Sequence, residues 1–410
     1  VYYFSSIDNP IIIRLMYIHT PFIFLIAIFC CLCLSNCQKG EEVEIPPLSE
    51  TQKSVLTTLP EKCFIAHRGT CYWAPEQTEA AMRFARNAGA SYLECDLQRT
   101  ADGYLVLFHD RNMIYKSNIQ YIYKDDDPLI NHFTLKEILQ ADLGSWFNRK
   151  YPERARSSYQ KLGILTLEDL IRIAEGYRIK RDARGNRIYH TEKEKIVMEY
   201  VKDEADNGNR PGIYPEIKFP ELNDGIIDDL KQELTRLGWY ADNASDLKAI
   251  HSSVGKVSIG NTSARVIVQT FSEEVLNKLN KTFARPIPYC LLISSMEGEA
   301  NMSQKEYTKI LRKALKGNAV IIAPCIPSNN PDSFKDLLQP WMYDLIRKSG
   351  LLIHAYTFDT IDELKRYEDM ADGFFCNQIE SAINYFSNGG KNNNTNLIYS
   401  AKDILTELGY

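Results

Sequence analysis

The chain has 410 residues, of which 44% are hydrophobic and 25% charged, and its formal net charge at neutral pH is −5. This length and apolar content allow one large domain with a substantial core, together with appended segments. The acidic balance argues against a partner made of nucleic acid, because a nucleic-acid-binding protein would present a basic face. No internal repeat of fixed period is visible apart from an alternation of strand-like and helix-like patterns.

The N-terminal region predicts targeting rather than fold. Residues 22–34 read FIFLIAIFCCLCL, an apolar run that is too short to span a bilayer comfortably. The residues Leu34-Ser35-Asn36-Cys37 follow, and they resemble a bacterial lipobox with the lipidated cysteine at Cys37. We therefore predict a signal or lipoprotein targeting segment at 1–37 and a polar tether at 38–60. An ordinary cleaved signal peptide and an uncleaved N-terminal anchor are the alternatives.

Lipidation would determine where the protein works. Acyl chains on Cys37 would hold it at a membrane surface. The expected location is therefore outside the cytoplasm, as a bacterial membrane-anchored lipoprotein in the periplasm or at the cell surface.

Polar side chains collect at the ends of three predicted strands in the first part of the chain. The strands are expected at residues 63–66, 92–97 and 104–108, with an amphipathic helix at 79–87 and a turn at 101–103. His67 and Arg68 follow the first strand and His109 follows the third. The two-residue period of the second strand puts Glu94 and Asp96 on one face.

These residue types share a chemistry. Glu94 and Asp96 offer hard oxygen ligands suited to Ca²⁺ or Mg²⁺. Arg68 can hold a phosphate oxygen through its planar guanidinium. His67 and His109 can transfer protons near neutral pH. Any one of them alone is more often a core or surface residue, but their combination at strand ends favours a functional site.

The middle of the chain adds a loop, an insertion and a further strand. Residues 111–128 are polar and irregular, and we expect an active-site loop there. Residues 176–211 are highly charged, and we interpret them as a solvated insertion with a hairpin at 183–186 and an exposed helix after it. The strand at 213–218 puts Glu216 and Lys218 on one face, as site residues or as a strand-end ion pair.

The remaining sequence alternates regularly between strands and helices. Further strands are expected at 265–271, 289–294, 319–323, 351–356 and 373–376, and helices at 224–237, 273–279, 304–315, 333–348 and 361–367. With the strands that begin at 63, 92 and 213, the count reaches the eight that a TIM barrel needs. The predicted fold is thus α/β, a TIM (β/α)8 barrel at 61–387 with an insertion before the third strand. Residues 388–410 are expected to form a flexible linker and a short helix.

The motifs, taken in order, are similar to those of the glycerophosphodiester phosphodiesterase family. They are His67-Arg68-Gly69, Pro75-Glu76-x-Thr78, Glu94-x-Asp96, Thr100-x-Asp102-Gly103, His109-Asp110 and Glu216-x-Lys218. The chain departs from the family pattern in two places, since Tyr356-Thr357 stands where Trp-Thr is common and Cys376-Asn377 where Thr-Asp is usual.

The resemblance implies hydrolysis of a glycerophosphodiester to glycerol phosphate and an alcohol such as choline or ethanolamine. It implies that Glu94, Asp96 and Glu216 bind a divalent metal, Ca²⁺ or Mg²⁺. It also implies that His67 and His109 are catalytic. The implied substrate contacts are Arg68, Lys218, Glu76 and Tyr356, the last as an aromatic pocket wall.

Two other functions are compatible with the same sequence. One is a TIM-barrel phosphodiesterase that acts on intact phospholipid, as a phospholipase C or D does. The other is a non-catalytic lipoprotein that binds a ligand in an inherited pocket.

The six cysteines beyond residue 37 include no CxxC pair, so a zinc site is not expected. We expect these cysteines to be buried free thiols.

Overall fold

The structure is a computed structural model that describes residues 44–295, 302–327, 335–390 and 400–410. The predicted targeting segment at 1–37 lies outside these residues, as does most of the predicted linker, at 391–399. Residues Ile45–Tyr410 make one compact unit. Within the described ranges, no helix combines the length and the apolar character needed to cross a membrane.

Strands recur along the whole described chain. They are β1 Cys63–Ala66, β2 Tyr92–Arg99, β3 Leu105–Leu107, β4 Tyr177–Ile179, β5 Tyr189–Glu192, β6 Lys195–Met198, β7 Tyr200–Lys202, β8 Gly212–Ile217, β9 Val268–Thr270, β10 Tyr289–Ile293, β11 Ile321–Pro324, β12 Leu352–Phe358 and β13 Gly373–Cys376.

Helices connect most of these strands. They are α1 Glu50–Leu56, α2 Glu79–Ala88, α3 Ile119–Tyr123, α4 Leu135–Ile138, α5 Ser145–Lys150, α6 Leu167–Ala174, α7 Ile226–Arg236, α8 Glu273–Thr282, α9 Gln304–Lys316, α10 Pro340–Ser349, α11 Ile361–Tyr367, α12 Ile379–Ser387 and α13 Ala401–Glu407. The predicted helix at 333–348 begins only at Pro340, because proline suits the first turn of a helix but not its interior.

Eight of the strands close into a parallel barrel. The order around it is β1, β2, β8, β9, β10, β11, β12 and β13, and β1 pairs with both β2 and β13. Strand β3 pairs with β2 in the antiparallel sense and stays outside the closed ring. Apolar side chains fill the barrel and the layer under the helices in one large cluster. The predicted TIM barrel is confirmed, and its parallel strands all end at the same face.

The insertion lies before β8, the third barrel strand, but its predicted helix is wrong. Two antiparallel pairs replace it, β4 with β7 and β5 with β6. Lys193 and Glu194 make the β5–β6 turn with φ of 47° and 67°, the conformation that a tight two-residue hairpin turn requires. The charged residues suggested a helix, whereas the alternating aromatic and β-branched residues form strands.

The insertion is exposed to solvent at 182–186 and 190–195, as the sequence predicted, but buried contacts also fix its base to the barrel. Asp203, at its base, has a fully buried side chain that accepts hydrogen bonds from Arg83 and Arg86 of α2, each at 2.6 Å. Burial opposes its ionisation, but the two guanidinium groups outweigh this and lower the pKa of Asp203 to about 2. The hydroxyl of Tyr200 donates to Asp169 at 2.7 Å. Buried polar contacts therefore attach the insertion to the barrel.

Helix α1 occupies part of the segment expected to be a tether. Gln52 donates from Nε2 to the carbonyl oxygen of Ala319 at 2.7 Å, just before β11 begins. Val55 is buried beside it. Ile45 and Leu48, which precede α1, also pack against the core, so a free tether could include only residues before Ile45.

The six cysteines beyond residue 37 are free thiols, as predicted, and five of them are buried. Cys63, Cys71, Cys95, Cys290, Cys325 and Cys376 are all free thiols, and only Cys71 is not fully buried.

Candidate active site

Three carboxylates meet inside the barrel because of strand register. Asp96 on β2 is the direct partner of Glu216 on β8, and Glu94 lies two residues before Asp96 on the same face. One oxygen from each of these residues lies within 4.8 Å of the others, and all three side chains are buried. The predicted set is therefore brought together at one point. Clustered carboxylate oxygens are the donors that Ca²⁺ and Mg²⁺ prefer, so these residues fit a divalent cation.

The protonation of the three carboxylates reflects their crowding. Burial and the neighbouring Asp96 raise the pKa of Glu216 to about 8 and that of Glu94 well above its ordinary range. Burial also opposes the ionisation of Asp96, but His109, Lys218 and Arg68 outweigh it and lower its pKa. Three buried carboxylates cannot all ionise without added positive charge, which a cation would supply.

Two glutamines hold the carboxylates in place: Gln269, a strand-end residue expected at the pocket, and Gln77, which the sequence did not single out. Gln77 donates from Nε2 to Asp96 at 2.6 Å and accepts from the backbone N–H of Asp96 at 3.0 Å. Gln269 donates to Glu94 at 2.9 Å. Gln77 occupies the variable position of the motif Pro75-Glu76-x-Thr78, and its position in the motif was the only available signal.

Arg68 lies beside the carboxylates in a tight turn after β1. Its backbone N–H donates to Glu94 at 2.7 Å, and its guanidinium approaches Glu76 at 3.3 Å and Asp96 at 3.6 Å. Gly69 follows with φ of +83°, and a Cβ there would lie 2.8 Å from the backbone of Ala81. Only glycine allows this close approach to α2.

The cations of the site leave donor capacity for an anion. Arg68 Nε is buried and has no hydrogen-bond partner within the described segments. Lys218, at the end of β8, lies 3.0 Å from Glu216 and 3.7 Å from Asp96. Both predicted phosphate contacts thus lie beside the acidic cluster.

His67 is held by a neutral partner. Its Nδ1 lies 2.6 Å from Oδ1 of Asn377, the residue after β13. That oxygen also accepts from the thiol of Cys71, and the Asn377 amide donates to Asp359 at 2.6 Å, so Nδ1 of His67 is the donor. Burial and the nearby Arg68 lower the pKa of His67 to about 3. The imidazole is therefore neutral at pH 7.

His109 has an anionic partner instead. Its Nδ1 lies 2.8 Å from Asp110, which also contacts the Lys116 ammonium at 2.9 Å. Lys116 reaches Glu76 at 2.8 Å as well, so it links the Asp110–His109 pair to the carboxylate that holds Arg68. Lys116 was not predicted as a site residue, because its loop carries no periodic pattern.

Tyr356 is present at the rim but is mostly buried. It is 9% exposed, and its hydroxyl donates to the carbonyl oxygen of Ile293 at 2.9 Å. Phe271, which packs edge-to-face against it, is 49% exposed. Phe271 is thus the more accessible aromatic side chain of this pair.

Comparison with known proteins supports the same interpretation. Residues 67–214 match the model of the glycerophosphoryl diester phosphodiesterase family, a range that includes both histidines, Arg68, Glu94 and Asp96. A glycerophosphodiester phosphodiesterase of Bacillus subtilis is 26% identical over 334 residues, which cover 81% of this chain and 89% of that one. A glycerophosphodiester phosphodiesterase of Haemophilus influenzae is 30% identical over 172 residues, 39% of this chain and 40% of that one.

A solved structure has the same fold. The Oleispira antarctica phosphodiesterase in complex with the product sn-glycerol-3-phosphate superposes with a TM-score of 0.50 at 19% identity, covering 81% of this chain and 99% of that one. The ordered motifs, the barrel and these matches agree with one another. The match to the family model at residues 67–214 and the curated relatives support the glycerophosphodiester phosphodiesterase family of hydrolases for this chain, and the shared fold agrees with it.

Proposed function

We propose that this protein hydrolyses glycerophosphodiesters to glycerol phosphate and an alcohol, with the help of a divalent metal. One observation carries the proposal: the buried carboxylates of Glu94, Asp96 and Glu216 converge within 4.8 Å beside two cations and two histidines. The sn-glycerol-3-phosphate found in the Oleispira antarctica phosphodiesterase is a product of this chemical class.

Glu94, Asp96 and Glu216 would hold the metal, which we expect to be Ca²⁺ or Mg²⁺. When bound, such a cation polarises the phosphoryl group and offsets charge in the transition state. Gln77 and Gln269 would keep two of the carboxylates aimed at it, since each donates to a carboxylate oxygen.

Arg68 and Lys218 would bind the phosphate. The buried Nε of Arg68, which has no hydrogen-bond partner among the described residues, can donate to a phosphate oxygen. Lys218, directly after β8, adds positive charge beside Asp96. Glu76 orients the Arg68 guanidinium for this contact.

The two histidines would move the protons in opposite directions. His67 donates to an amide oxygen and is neutral at pH 7, so its other ring nitrogen can accept the proton of the attacking hydroxyl, from water or from the substrate's own glycerol. The Asp110 carboxylate orients the His109 ring through Nδ1, which leaves the other ring nitrogen for proton transfer. As the P–O bond to the alcohol breaks, His109 would give its proton to the leaving oxygen.

The test is an assay of purified protein against a panel of glycerophosphodiesters with and without a chelator. We expect turnover that disappears with the chelator and returns with Ca²⁺ or Mg²⁺. Turnover that is unchanged by complete metal removal would contradict the metal requirement, and a lack of turnover on the whole panel would contradict the proposed reaction.

The exposed Phe271 favours a second candidate, action on intact phospholipid. An apolar group at the rim could contact an acyl chain or a bilayer. Assays on phospholipid vesicles would decide, because the second candidate requires faster turnover of the intact lipid than of its deacylated form.

We further propose that the protein is exported and lipid-anchored through Cys37. The support is the short apolar run at 22–34, whose last residue is the first of the sequence Leu34-Ser35-Asn36-Cys37. Anchoring there would bring the barrel close to the membranes whose lipids supply glycerophosphodiesters.

A further inference from the structure

Four residues beside His109 form a group that we name the Lys116 cluster: Glu76, Asp110, Lys116 and Trp146. The Lys116 ammonium lies 2.8 Å from Glu76 and 2.9 Å from Asp110. It also lies 5.8 Å from the centre of the Trp146 indole ring. Its side chain is 17% exposed, so these contacts are largely shielded from water.

Without Lys116, the cluster would have the composition of a site for an organic cation. An aromatic face together with carboxylates attracts quaternary ammonium groups, and indole is the best of the aromatic faces. Glu76 is ionised, because Arg68 and Lys116 outweigh the effect of burial and lower its pKa. The chain's own ammonium therefore takes the place that a choline or ethanolamine nitrogen would occupy.

The charges of the cluster and of Arg68 are already balanced. Glu76 and Asp110 carry two negative charges, and Arg68 and Lys116 carry two positive ones. No carboxylate of the cluster is left to pair with an incoming cation. The remaining pocket, which Gln77, His109 and Trp146 also line, has a volume of about 10 Å³, room for about one water molecule.

We propose that Lys116 determines the alcohol specificity of this enzyme by excluding cationic alcohols and admitting uncharged polyols such as glycerol or inositol. The inference rests on the proposed function, in which the alcohol leaves beside His109 and thus beside the Lys116 cluster. A polyol can place one hydroxyl, a group about the size of a water molecule, in the remaining pocket, where it accepts a hydrogen bond from the Lys116 ammonium. A choline nitrogen there meets a like charge with no free carboxylate.

The closing experiment measures kcat/KM of the metal-loaded enzyme on three diesters: glycerophosphoglycerol, glycerophosphocholine, and glycerophospho-3,3-dimethylbutanol. The third replaces the choline nitrogen with carbon, so it has the same shape without the charge. The wild type should favour the first and third diesters over glycerophosphocholine. The variant Lys116→Ala should raise the kcat/KM for the choline diester relative to that for its carbon analogue by roughly 10-fold, because it frees the carboxylates and the indole face.

The variant Lys116→Arg is the matched control, because it keeps the positive charge, and its ratio should stay near that of the wild type. If the substitution misaligns His109, kcat/KM falls equally for both substrates, and their ratio does not change. A wild type that prefers the choline diester to its analogue, or a ratio that Lys116→Ala leaves unchanged, would overturn the specificity role while leaving the proposed hydrolysis intact.

A binding measurement keeps the inference testable even without turnover. Choline titrated into Lys116→Ala should change tryptophan fluorescence in a saturable way, and it should not do so in the wild type. The change should disappear when Trp146→Leu is added to Lys116→Ala. Equal choline binding by the wild type and Lys116→Ala would also overturn the inference. If none of the three diesters is hydrolysed, the proposed function fails, and this titration still decides whether Lys116 excludes cations.

Discussion

The acidic cluster and the histidines have different partners, so substitutions should separate their roles. Glu216 is buried among Asp96 and Lys218 and offers one of the converging oxygens. We expect Glu216→Gln to weaken Ca²⁺ or Mg²⁺ binding strongly, with residual activity recovered at high metal concentration, because a hard cation needs several oxygens at one point. Calorimetric titration with each metal measures this. Glu221→Gln, at an exposed glutamate five residues later, is the control and should bind metal normally.

His109 should show the opposite pattern. We expect His109→Ala to bind metal almost normally but to turn over about 10²–10⁴-fold more slowly, with no rescue by added metal. The leaving oxygen of a nitrophenyl diester needs little protonation. The rate of His109→Ala on this substrate should therefore fall less than its rate on natural diesters. His67→Ala should slow both substrates alike. His190→Ala, on the exposed insertion, is the control, and wild-type activity of His109→Ala on natural diesters would end the proposal that His109 is catalytic.

A third histidine should affect stability rather than turnover. His354 on β12 is buried against Cys63 and Tyr214, and burial lowers its pKa to about 4. Between about pH 6.5 and pH 4, His354 is protonated in the unfolded chain but remains neutral in the folded chain. His354 should therefore cost stability as the pH falls through this range, by up to about 1.4 kcal/mol per pH unit.

Urea unfolding of the wild type and His354→Gln at several pH values checks this prediction. The wild type should lose stability relative to the variant below pH 6.5, and the difference should be constant above it. A difference that does not change with pH would contradict the buried neutral state of His354.

At the scale of elements, Asp203 anchors the base of the insertion to α2. Asp203 satisfies two guanidinium groups of α2, and the side chains of Asp203 and Arg86 are fully buried. We expect Asp203→Asn to lower the free energy of unfolding by about 3–5 kcal/mol, because it leaves buried charges unpaired.

The adjacent residue provides the control. Glu204 pairs with Arg178 but its side chain is 76% exposed, so Glu204→Gln should leave the stability almost unchanged. Equal effects of the two substitutions in chemical denaturation would indicate that the insertion does not depend on its buried ion pairs.

At the scale of the whole molecule, lipidation of Cys37 would attach the protein to a membrane. If Cys37 carries acyl chains, Cys37→Ala should release the protein from the membrane fraction or leave it unprocessed. Cys33→Ala, which changes a cysteine inside the apolar run, should have neither effect. Mass spectrometry of the mature N-terminus and membrane fractionation measure both, and unchanged fractionation of Cys37→Ala would count against lipidation.

Much of the candidate site could be predicted because its chemistry is local to strand ends. The two-residue period of a strand places Glu94 with Asp96, and Glu216 with Lys218, whatever the rest of the chain does. The alternation of strands and helices then requires parallel pairing, which puts these strand ends at one face. Convergence of β2 and β8 therefore follows from patterns that the sequence displays.

Other features depend on contacts between distant segments. The sequence by itself determined the barrel, the acidic residues and the histidines, because periodicity and ordered motifs are properties of short stretches. Only the tertiary structure decided that the insertion forms hairpins held by Asp203, that Asn377 and Asp110 orient the two histidines, and that Lys116 fills the space under Trp146. The physical reason is that each of these depends on which polar groups meet inside the folded chain, since a buried charge must find its partner there, wherever in the sequence that partner lies.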